Sequence, residues 1–314
     1  MRIIDMHCDT ILRCMLNNES LADKGGHINI EKLQQGGCLA QCFALFIPTH
    51  QAAEHDGITT EAYYTYKALL DEYRRALAEC SDVLRPALSA EDILKNRDDG
   101  FISAILTVED AVPVDGRMER IEEFYSDGVR IMTLTWNYEN CMGFPNSKDP
   151  GLHAKGLKPF GIEAVRRMNE LGMIVDVSHL SEGGFFDVAK YSEKPFVATH
   201  SCCRALCSHQ RNLTDAQLHT LADCGGLVGI NFCGPFLVDD AKEIDTDAIV
   251  RHAQHIYNEA GIEALAWGSD FDGIESEYNY LLFEEILQKM SGVFTEGQMD
   301  KINSENFLRI FSGK

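Results

Sequence analysis

Eight short runs of apolar and β-branched residues, each bounded by turn signals, are the feature that most constrains the fold of this chain. The runs lie at positions 2–6, 39–47, 101–108, 129–135, 173–178, 195–199, 226–232 and 263–269. Segments with helical apolar spacing lie between or after them, at positions 60–80, 116–126, 160–171, 182–192, 214–223, 245–260 and 280–311. Because this alternation favours parallel βαβ units and eight strands can close on themselves, the sequence predicts an α/β fold, a (β/α)8 TIM barrel.

The length of 314 residues suits one such barrel, which commonly needs roughly 250 residues plus loop insertions. No Pro/Gly/Ser-rich linker divides the chain, so we expect one domain over 1–314 that ends in a helical tail at about 280–311. The turn-rich segment 137–156 is long for a barrel loop. We therefore predict that it is a lid over the barrel mouth.

The charge balance narrows the possible partners. The chain carries 28 Lys and Arg against 49 Asp and Glu, a formal net charge of −21 that would repel phosphate backbones and anionic lipids. Neither nucleic acid nor a membrane surface is therefore an expected partner. No signal-like apolar run opens the chain, and no segment approaches the roughly 20 apolar residues of a membrane span, so a cytoplasmic location is expected.

Cysteine usage favours a reduced protein. The 11 cysteines are odd in number, and a core of this size needs no disulfides. Cys38 with Cys42, and Cys203 with Cys207, have CxxxC spacing. A structural zinc site at either pair is the less favoured alternative to buried thiols.

Side chains that can bind metal follow five of the eight strand-like runs. They are His7 and Asp9 after the first run, Glu109 after the third, His179 after the fifth, His200 after the sixth and Asp270 after the eighth. Active sites of such barrels lie at the C-terminal ends of the strands, and residues two apart in an extended segment project to the same side. The pattern therefore predicts one metal-binding site at the barrel mouth.

Each of these residues also has a structural explanation. Asp9 could cap the helix that follows it, Glu109 could be a surface carboxylate, and Asp270 or Asp272 could form a turn. A lone histidine after a strand is more often a hydrogen-bonded structural residue than a ligand. Their coincidence at strand ends favours the metal-site interpretation.

The stretches DMHCDT, GLKPFGIEAVRRMNELGMIVDVSHLS, THSCCRAL, QRNLTD, GGLVGINF and GSDFDG resemble, in order and spacing, the signatures of the membrane dipeptidase (renal dipeptidase) family. The resemblance covers most of the chain and implies an amidohydrolase-type barrel that hydrolyses dipeptides, including those with a C-terminal D-residue, by a hydroxide bridging two Zn²⁺ ions. By motif, one zinc ion would be held by His7, Asp9 and Glu109. Glu109 would bridge to the other, which His179 and His200 would also bind.

The same resemblance implies roles for three further residues. Asp270 in GSDFDG would be the catalytic acid/base, and Arg211 in QRNLTD would receive the C-terminal carboxylate of the substrate through its two-pronged guanidinium. Trp136 is a candidate substrate-binding residue, with a role in the core as the alternative. His153 and His209 are weaker candidates for lining the pocket.

Two positions depart from the family pattern. The animal enzymes have a histidine after the LT of the fourth strand, where this chain reads Trp136-Asn137, and Asp110 follows Glu109 where glycine is expected. These differences leave the preferred dipeptide open.

Other functions remain as alternatives. The same hydroxide could hydrolyse a lactone, a β-lactam or a cyclic amide, and other divalent ions suit the same ligands. A non-catalytic metal-binding barrel is disfavoured, because every expected ligand and Asp270 are present. The expected partner is a small dipeptide, and assembly as a homodimer is left open.

Overall fold

A computed structural model describes residues 3–48, 50 and 61–312. The strands are β1 (Ile3–Asp5), β2 (Cys38–Phe46), β3 (Leu84–Pro86), β4 (Ile102–Glu109), β5 (Ile131–Thr133), β6 (Ile174–Asp176), β7 (Val197–Ser201), β8 (Leu227–Ile230) and β9 (Leu265–Trp267). The α-helices are α1 (Thr10–Asn17), α2 (Ile30–Gln35), α3 (Ala62–Glu79), α4 (Ala90–Asp98), α5 (Met118–Asp127), α6 (Pro150–His153), α7 (Pro159–Leu171), α8 (Glu182–Tyr191), α9 (Asp215–Asp223), α10 (Gly234–Leu237), α11 (Thr246–Ala260), α12 (Leu282–Met290), α13 (Glu296–Asp300) and α14 (Asn306–Phe311).

The sheet is parallel and closed. Its strand order is β2-β1-β9-β8-β7-β6-β5-β4-β3, and β2 also pairs with β4, which joins the two sides of the sheet. The β2–β4 register runs from Ala40 opposite Ser103 to Phe46 opposite Glu109. Strand β3 pairs only with the first residues of β4 and lies outside the ring. The predicted eight-stranded barrel is confirmed.

Each predicted strand has a counterpart in the barrel, with ends that differ by one or two residues. The predicted first positions of the opening strand and of the 60–80 helix lie outside the described residues. Strand β3 was not predicted, because three residues that end in Pro86 carry little strand signal. Helices α2, α4, α6 and α10 were also not predicted, and α1 was considered only as the helix that Asp9 could cap.

The predicted C-terminal tail is helical but is not one continuous helix. Helix α12 ends at Met290, and α13 begins after Thr295, whose side chain forms a capping box with Gln298. A π-helical turn, Lys301–Glu305, then leads into α14. A reciprocal N-cap of this kind starts a new helix, which explains the interruption.

Helix α14 covers the N-terminal end of the barrel. Arg309 donates to the carbonyl oxygens of Gly225 and Glu263, which precede β8 and β9. Phe307, Ile310 and Phe311 join an apolar cluster with residues of the strands, including Ile4, Ile131, Leu227 and Ala266. The opposite end, where the strands finish, carries the predicted site residues. Over the parts of the chain that the structure describes, no helix combines the length and the apolar character needed to span a bilayer.

Candidate metal centre

The predicted ligands converge at the C-terminal end of the strands. His7 and Asp9 lie just after β1, Glu109 is the last residue of β4, His179 follows β6, and His200 lies within β7. All five are buried, with exposed fractions of 8% or less. Parallel strands of a barrel end at one rim, so residues far apart in sequence meet there.

Glu109 lies at the centre of the group, with its two carboxylate oxygens facing different histidines. Its Oε2 is 3.5 Å from His7 Nε2, while Oε1 is 3.1 Å from His179 Nε2 and 3.4 Å from His200 Nε2. The Nε2 atoms of His179 and His200 are 3.0 Å apart. One carboxylate oxygen is thus directed to each half of the centre.

The other half contains His7 with two carboxylates. His7 Nε2 is 3.6 Å from Asp9 Oδ2 and 3.8 Å from Asp270 Oδ1. Asp270 follows β9, and 13% of its side chain is exposed. Two overlapping groups, His7–Glu109–His200 and His7–Asp9–Asp270, each have ligand atoms close enough to share an ion.

Buried polar atoms without partners show that these residues suit a cation. Among the residues that the structure describes, His7 Nε2 and Asp9 Oδ1 have no hydrogen-bond partner. Asp9 stands at the N-cap position of α1, but its side chain makes no capping hydrogen bond, which removes the capping explanation. A side chain at Gly273 would lie 2.0 Å from Asp9 Oδ2, so glycine keeps this space open. Nitrogen and carboxylate oxygen ligands fit zinc and related divalent ions.

Burial and mutual charge shift the pKa values of the acids and bases in the cluster strongly. Burial, followed by repulsion from Asp9, raises the pKa of Glu109 to about 8. Burial opposes protonation of His7, yet Glu109 and Asp9 together raise its pKa well above the usual value. Burial and nearby positive charge lower the pKa values of His179 and His200 well below normal. A bound cation would stabilise the carboxylates in place of a proton on Glu109 or His7.

Asp270 is oriented by Asn231, a residue that the sequence analysis missed. Asn231 Nδ2 donates to Asp270 Oδ2 at 2.9 Å, which leaves Oδ1 facing His7. Burial raises the pKa of Asp270 to about 6. Asn231 comes directly after β8, but it lies inside the predicted run 226–232 and carries an amide, so the search for metal-binding side chains at strand ends did not single it out.

Arg211 is buried beside the metal centre. Its Nη1 donates to Ser201 Oγ and its Nη2 to the His200 carbonyl oxygen, both at 2.7 Å. Its Nε has no hydrogen-bond partner within the described parts of the chain, although only 4% of the residue is exposed. Because the guanidinium has five N–H groups, several remain available to a ligand.

Comparison with known proteins agrees with this geometry. The family model for membrane dipeptidases (peptidase family M19) matches residues 1–313. The chain belongs to the membrane dipeptidase family. As a member, it is a metallopeptidase, a hydrolase that acts on dipeptides.

Individual relatives cover nearly the whole chain. An uncharacterized dipeptidase of Schizosaccharomyces pombe is 34% identical over 99% of this chain and 80% of its own length. A metallopeptidase of Rhodobacter sphaeroides, solved with a phosphinate mimic of L-Ala-D-Ala, is 26% identical, with a TM-score of 0.89 over 100% of this chain and 99% of its own. A solved dipeptidase AC of the same family has 26% identity and a TM-score of 0.90, over 100% of this chain and 98% of its own.

The structure explains how this chain accommodates Asp110 after Glu109. The residue has φ of 69°, a left-handed conformation that suits glycine. Its Oδ1 accepts from the Val112 N–H at 3.1 Å and from Asn140 Nδ2 at 2.8 Å. Aspartate tolerates this conformation when its side chain bonds locally, and Asn140 adds a second partner.

The second departure forms one wall of the mouth. The Trp136 ring is 4.8 Å from the Phe46 ring and 5.9 Å from the Tyr138 ring, centre to centre. Trp136 is partly exposed, and its ring centre is 6.4 Å from that of His179. The next residue, Asn137, has its Oδ1 3.3 Å from His179 Nδ1. Where the animal enzymes have a histidine, this chain therefore has the aromatic ring of Trp136. The following residue, Asn137, contacts His179.

The segment predicted as a lid holds His179 in place. The Asn146 N–H donates to the His179 carbonyl oxygen at 2.7 Å, and the Ser181 N–H donates to the Phe144 carbonyl oxygen at 2.9 Å. His179 has φ of 66°, a conformation that costs free energy unless its surroundings enforce it. Movement of the segment as a lid stays a prediction.

The remaining histidine and cysteine candidates lie outside the ligand cluster. His153 contacts Arg204 and Glu182, whereas His209 Nδ1 accepts from the Arg211 N–H. None of the eleven cysteines forms a disulfide, and none belongs to a ligand group among the described residues. A third ligand group, Asp215, His255 and Glu259, lies apart from the mouth, and its His255 already pairs with Asp215 at 2.7 Å.

Proposed function

We propose that this chain is a two-zinc dipeptidase that hydrolyses the peptide bond of free dipeptides. The observation that carries the proposal is the division of the Glu109 carboxylate, with Oε2 toward His7 and Oε1 toward His179 and His200. A carboxylate placed in this way can bridge two cations.

The ligand roles follow from this division. His7, Asp9 and Glu109 would hold one ion, and Glu109, His179 and His200 the other. Two zinc ions in these places would supply a hydroxide nucleophile near neutral pH and would polarise the scissile carbonyl.

Asp270 serves as the acid/base. Its Oδ1 faces His7 and Asn231 holds its Oδ2, so one oxygen is oriented and the other is directed into the centre. From there it can accept the proton of the attacking water and deliver it to the leaving amine. Burial raises the pKa of Asp270, and a carboxylate with a raised pKa can both accept and return a proton near neutral pH.

Arg211 and Trp136 would position the substrate. The free N–H groups of Arg211 can bind the C-terminal carboxylate, and the partly exposed ring of Trp136 offers an apolar surface to a side chain. Two-ended binding aligns the scissile bond with the centre. Since a relative binds a mimic of L-Ala-D-Ala, we include dipeptides with a C-terminal D-residue among the substrates.

The test is restoration of activity by metal. Chelated protein should be inactive on a dipeptide library that includes D-residues at the second position, and added zinc should restore hydrolysis with two ions bound per chain. Lactones, β-lactams and cyclic amides assayed in parallel cover the alternative substrates. Faster turnover of any of these than of every dipeptide would overturn the substrate assignment.

A substitution separates the acid/base from the ligands. Asp270→Asn should retain both zinc ions while kcat falls by about 10²–10⁴-fold, the usual contribution of general acid–base catalysis. Loss of an ion from this variant would instead identify Asp270 as a ligand.

A further inference from the structure

Two buried carboxylates lie beneath the metal centre without belonging to it. Asp5 ends β1 and Asp176 ends β6, with exposed fractions of 0% and 1%. Neither belongs to a ligand group among the residues that the structure covers. A buried carboxylate is costly unless it is hydrogen-bonded, so the partners of these two residues show what they hold in place.

Asp176 accepts four hydrogen bonds. Its Oδ1 accepts from the N–H groups of Ser178 and Thr199, both at 2.9 Å. Its Oδ2 accepts from the hydroxyls of Thr199 at 2.5 Å and Thr133 at 2.6 Å. Both the backbone and the side chain of Thr199 are therefore bound to this carboxylate.

Asp5 accepts four hydrogen bonds from the same kinds of donor. Its Oδ1 accepts from the N–H groups of Ser269 at 2.8 Å and His7 at 3.5 Å. Its Oδ2 accepts from the Ser269 hydroxyl at 2.6 Å and from Gln41 Nε2 at 3.1 Å. In both cases the residue held through two atoms directly precedes a site residue: Thr199 precedes His200, and Ser269 precedes Asp270.

The hydroxyl of Thr199 determines which nitrogen of His200 carries hydrogen. Thr199 Oγ1 has one hydrogen, which it donates to Asp176, so toward His200 Nδ1 at 2.8 Å it can only accept. The hydrogen of neutral His200 is therefore on Nδ1, and the Nε2 lone pair faces Glu109 Oε1. Side chains at Gly229 and Gly268 would lie 2.0 and 1.8 Å from the Thr199 carbonyl oxygen, so close packing from two strands also restrains Thr199.

The Ser269 hydroxyl acts on the backbone around Asp270. It donates to Asp5 and accepts from the Phe271 N–H at 3.3 Å, so it connects both sides of Asp270. Asp270 has φ of 63°, a conformation that needs support from its surroundings.

We propose that Asp176 and Asp5 are positioning residues with separate targets. Asp176 acts through Thr199 to hold His200 in the tautomer whose Nε2 can bind a cation, and Asp5 acts through Ser269 to hold the backbone that presents Asp270. The inference rests on the proposed metal centre and deepens it. Groups that fix the tautomer of a metal-binding histidine commonly change metal affinity by about 10–100-fold.

The tautomer is measured first in the wild-type chain. In metal-free protein labelled with ¹⁵N-histidine, nitrogen chemical shifts should show hydrogen on His200 Nδ1 at a pH where the ring is neutral, with assignment from the loss of that signal in His200→Gln. Hydrogen on Nε2 would overturn the proposal without any variant that must remain stable.

Two matched substitutions then separate positioning from packing. Thr199→Val and Thr133→Val each remove one hydroxyl that donates to the same oxygen of Asp176, but only Thr199 contacts His200. Thr199→Val should abolish the tautomer preference and weaken zinc binding, measured by competition with a chelator, by about 10–100-fold. Thr199→Ser should restore both, and Thr133→Val should change zinc affinity less than about 3-fold. Equal effects of the two valine variants, or none from Thr199→Val, would contradict the role of Thr199.

The proposed role of Asp5 predicts a loss of catalysis without a loss of zinc affinity. Ser269→Ala should lower kcat by about 10-fold, a fraction of the usual acid–base contribution, while zinc affinity stays within about 2-fold of wild type. A loss of zinc affinity as large as that of Thr199→Val would show that the two carboxylates have no separate targets. The tautomer and affinity measurements need no substrate, so they remain decisive even if the dipeptidase assignment fails.

Discussion

At the mouth of the barrel, His7 and Glu109 are only 2% and 3% exposed, which is as inaccessible as Phe307 and Ile310 at the opposite end, with 2% and 5%. The chemistry of the two buried surfaces differs. Phe307 and Ile310 pack into an apolar cluster with the strands. At the mouth, His7 Nε2 is buried without a hydrogen-bond partner from any residue that the structure describes. Equal burial therefore has opposite effects on stability at the two ends.

Magnitudes show the direction of each effect. Burying a large apolar side chain stabilises a fold by about 1.5–3 kcal/mol, whereas leaving a buried polar group without a partner costs about 1–3 kcal/mol. Backbone conformation adds to the contrast, because Asp110, His179, Asp270 and Asp272 near the mouth have positive φ and no residue described between 301 and 312 does. Apolar packing at the closed end thus offsets the free energy that unpaired polar groups and positive φ values cost at the mouth.

The strongest test of this contrast is Glu109→Gln. Glutamine keeps the shape but removes the charge that faces three imidazoles, so the variant should lose at least one zinc ion and about 10⁴-fold or more in kcat/KM. Metal analysis and dipeptide kinetics measure both losses. In the metal-free state near pH 7 the free energy of unfolding should not fall, because burial raises the pKa of Glu109 to about 8 and glutamine then replaces a side chain that is already largely neutral. A metal-free variant much less stable than metal-free wild type would mean that Glu109 is structural.

The sequence was sufficient for the barrel and for the residues at its strand ends. Buried parallel strands read as continuous apolar runs, and His7, Glu109 and His200 follow or end such runs. Asn231 meets the same rule at the end of β8, yet an amide gave no reason to single it out. The strand-end rule thus locates the site but not the neutral residues that orient it.

What the sequence could not predict depends on contacts between distant segments. Asn140 and Asn146 lie in the irregular segment 137–156, and their partners, Asp110 and His179, are 30 and 33 residues away. The roles of Asp5 and Asp176 were hidden for another reason. Each lies inside a strand pattern, and only the closed barrel brings Ser269 and Thr199 to them.

Phe307→Ala tests the closed end. Removing a buried phenylalanine side chain should lower the free energy of unfolding by about 3–5 kcal/mol. Zinc content and KM should stay at wild-type values, because the substitution is at the other end of the strands. Urea unfolding with metal analysis provides the measurement, and Phe186→Ala, where the side chain is 39% exposed, is the matched control. Loss of zinc from folded Phe307→Ala would show that the two ends are coupled.

Arg211→Ala tests whether the unpaired donor at the mouth serves a ligand. A charged hydrogen bond contributes about 1.5–3 kcal/mol, so KM for dipeptides with a free C-terminal carboxylate should rise by about 10–100-fold. C-terminally amidated dipeptides lack the carboxylate and should be affected far less. Arg211→Lys keeps the positive charge but cannot donate two parallel hydrogen bonds. Its KM for dipeptides with a free carboxylate should therefore lie between the values for wild type and Arg211→Ala. An equal loss for free and amidated substrates would assign Arg211 to support of His200 and Ser201 alone.

The smallest expected effect concerns His252, which is fully buried in the barrel wall but has partners on both ring nitrogens. Its Nδ1 accepts from the Cys203 N–H at 3.0 Å, so Nε2 carries the hydrogen and donates to the Leu237 carbonyl oxygen at 2.9 Å. Burial lowers the pKa of His252 below its usual value of 6.5. Below pH 6.5 the unfolded chain therefore binds a proton that the folded chain does not, and stability is lost as the pH falls from that value toward the folded pKa.

In metal-free protein, this one group should contribute at most about 1.4 kcal/mol per pH unit to the acid-side fall in the free energy of unfolding. His252→Gln should be less stable at pH 7, where it loses the paired ring, but its stability should fall less steeply between pH 6.5 and 5 than that of wild type. Identical slopes for wild type and His252→Gln would mean that His252 accepts a proton in the fold. His252, although buried in the wall, would then become protonated as readily as the polar side chains at the mouth.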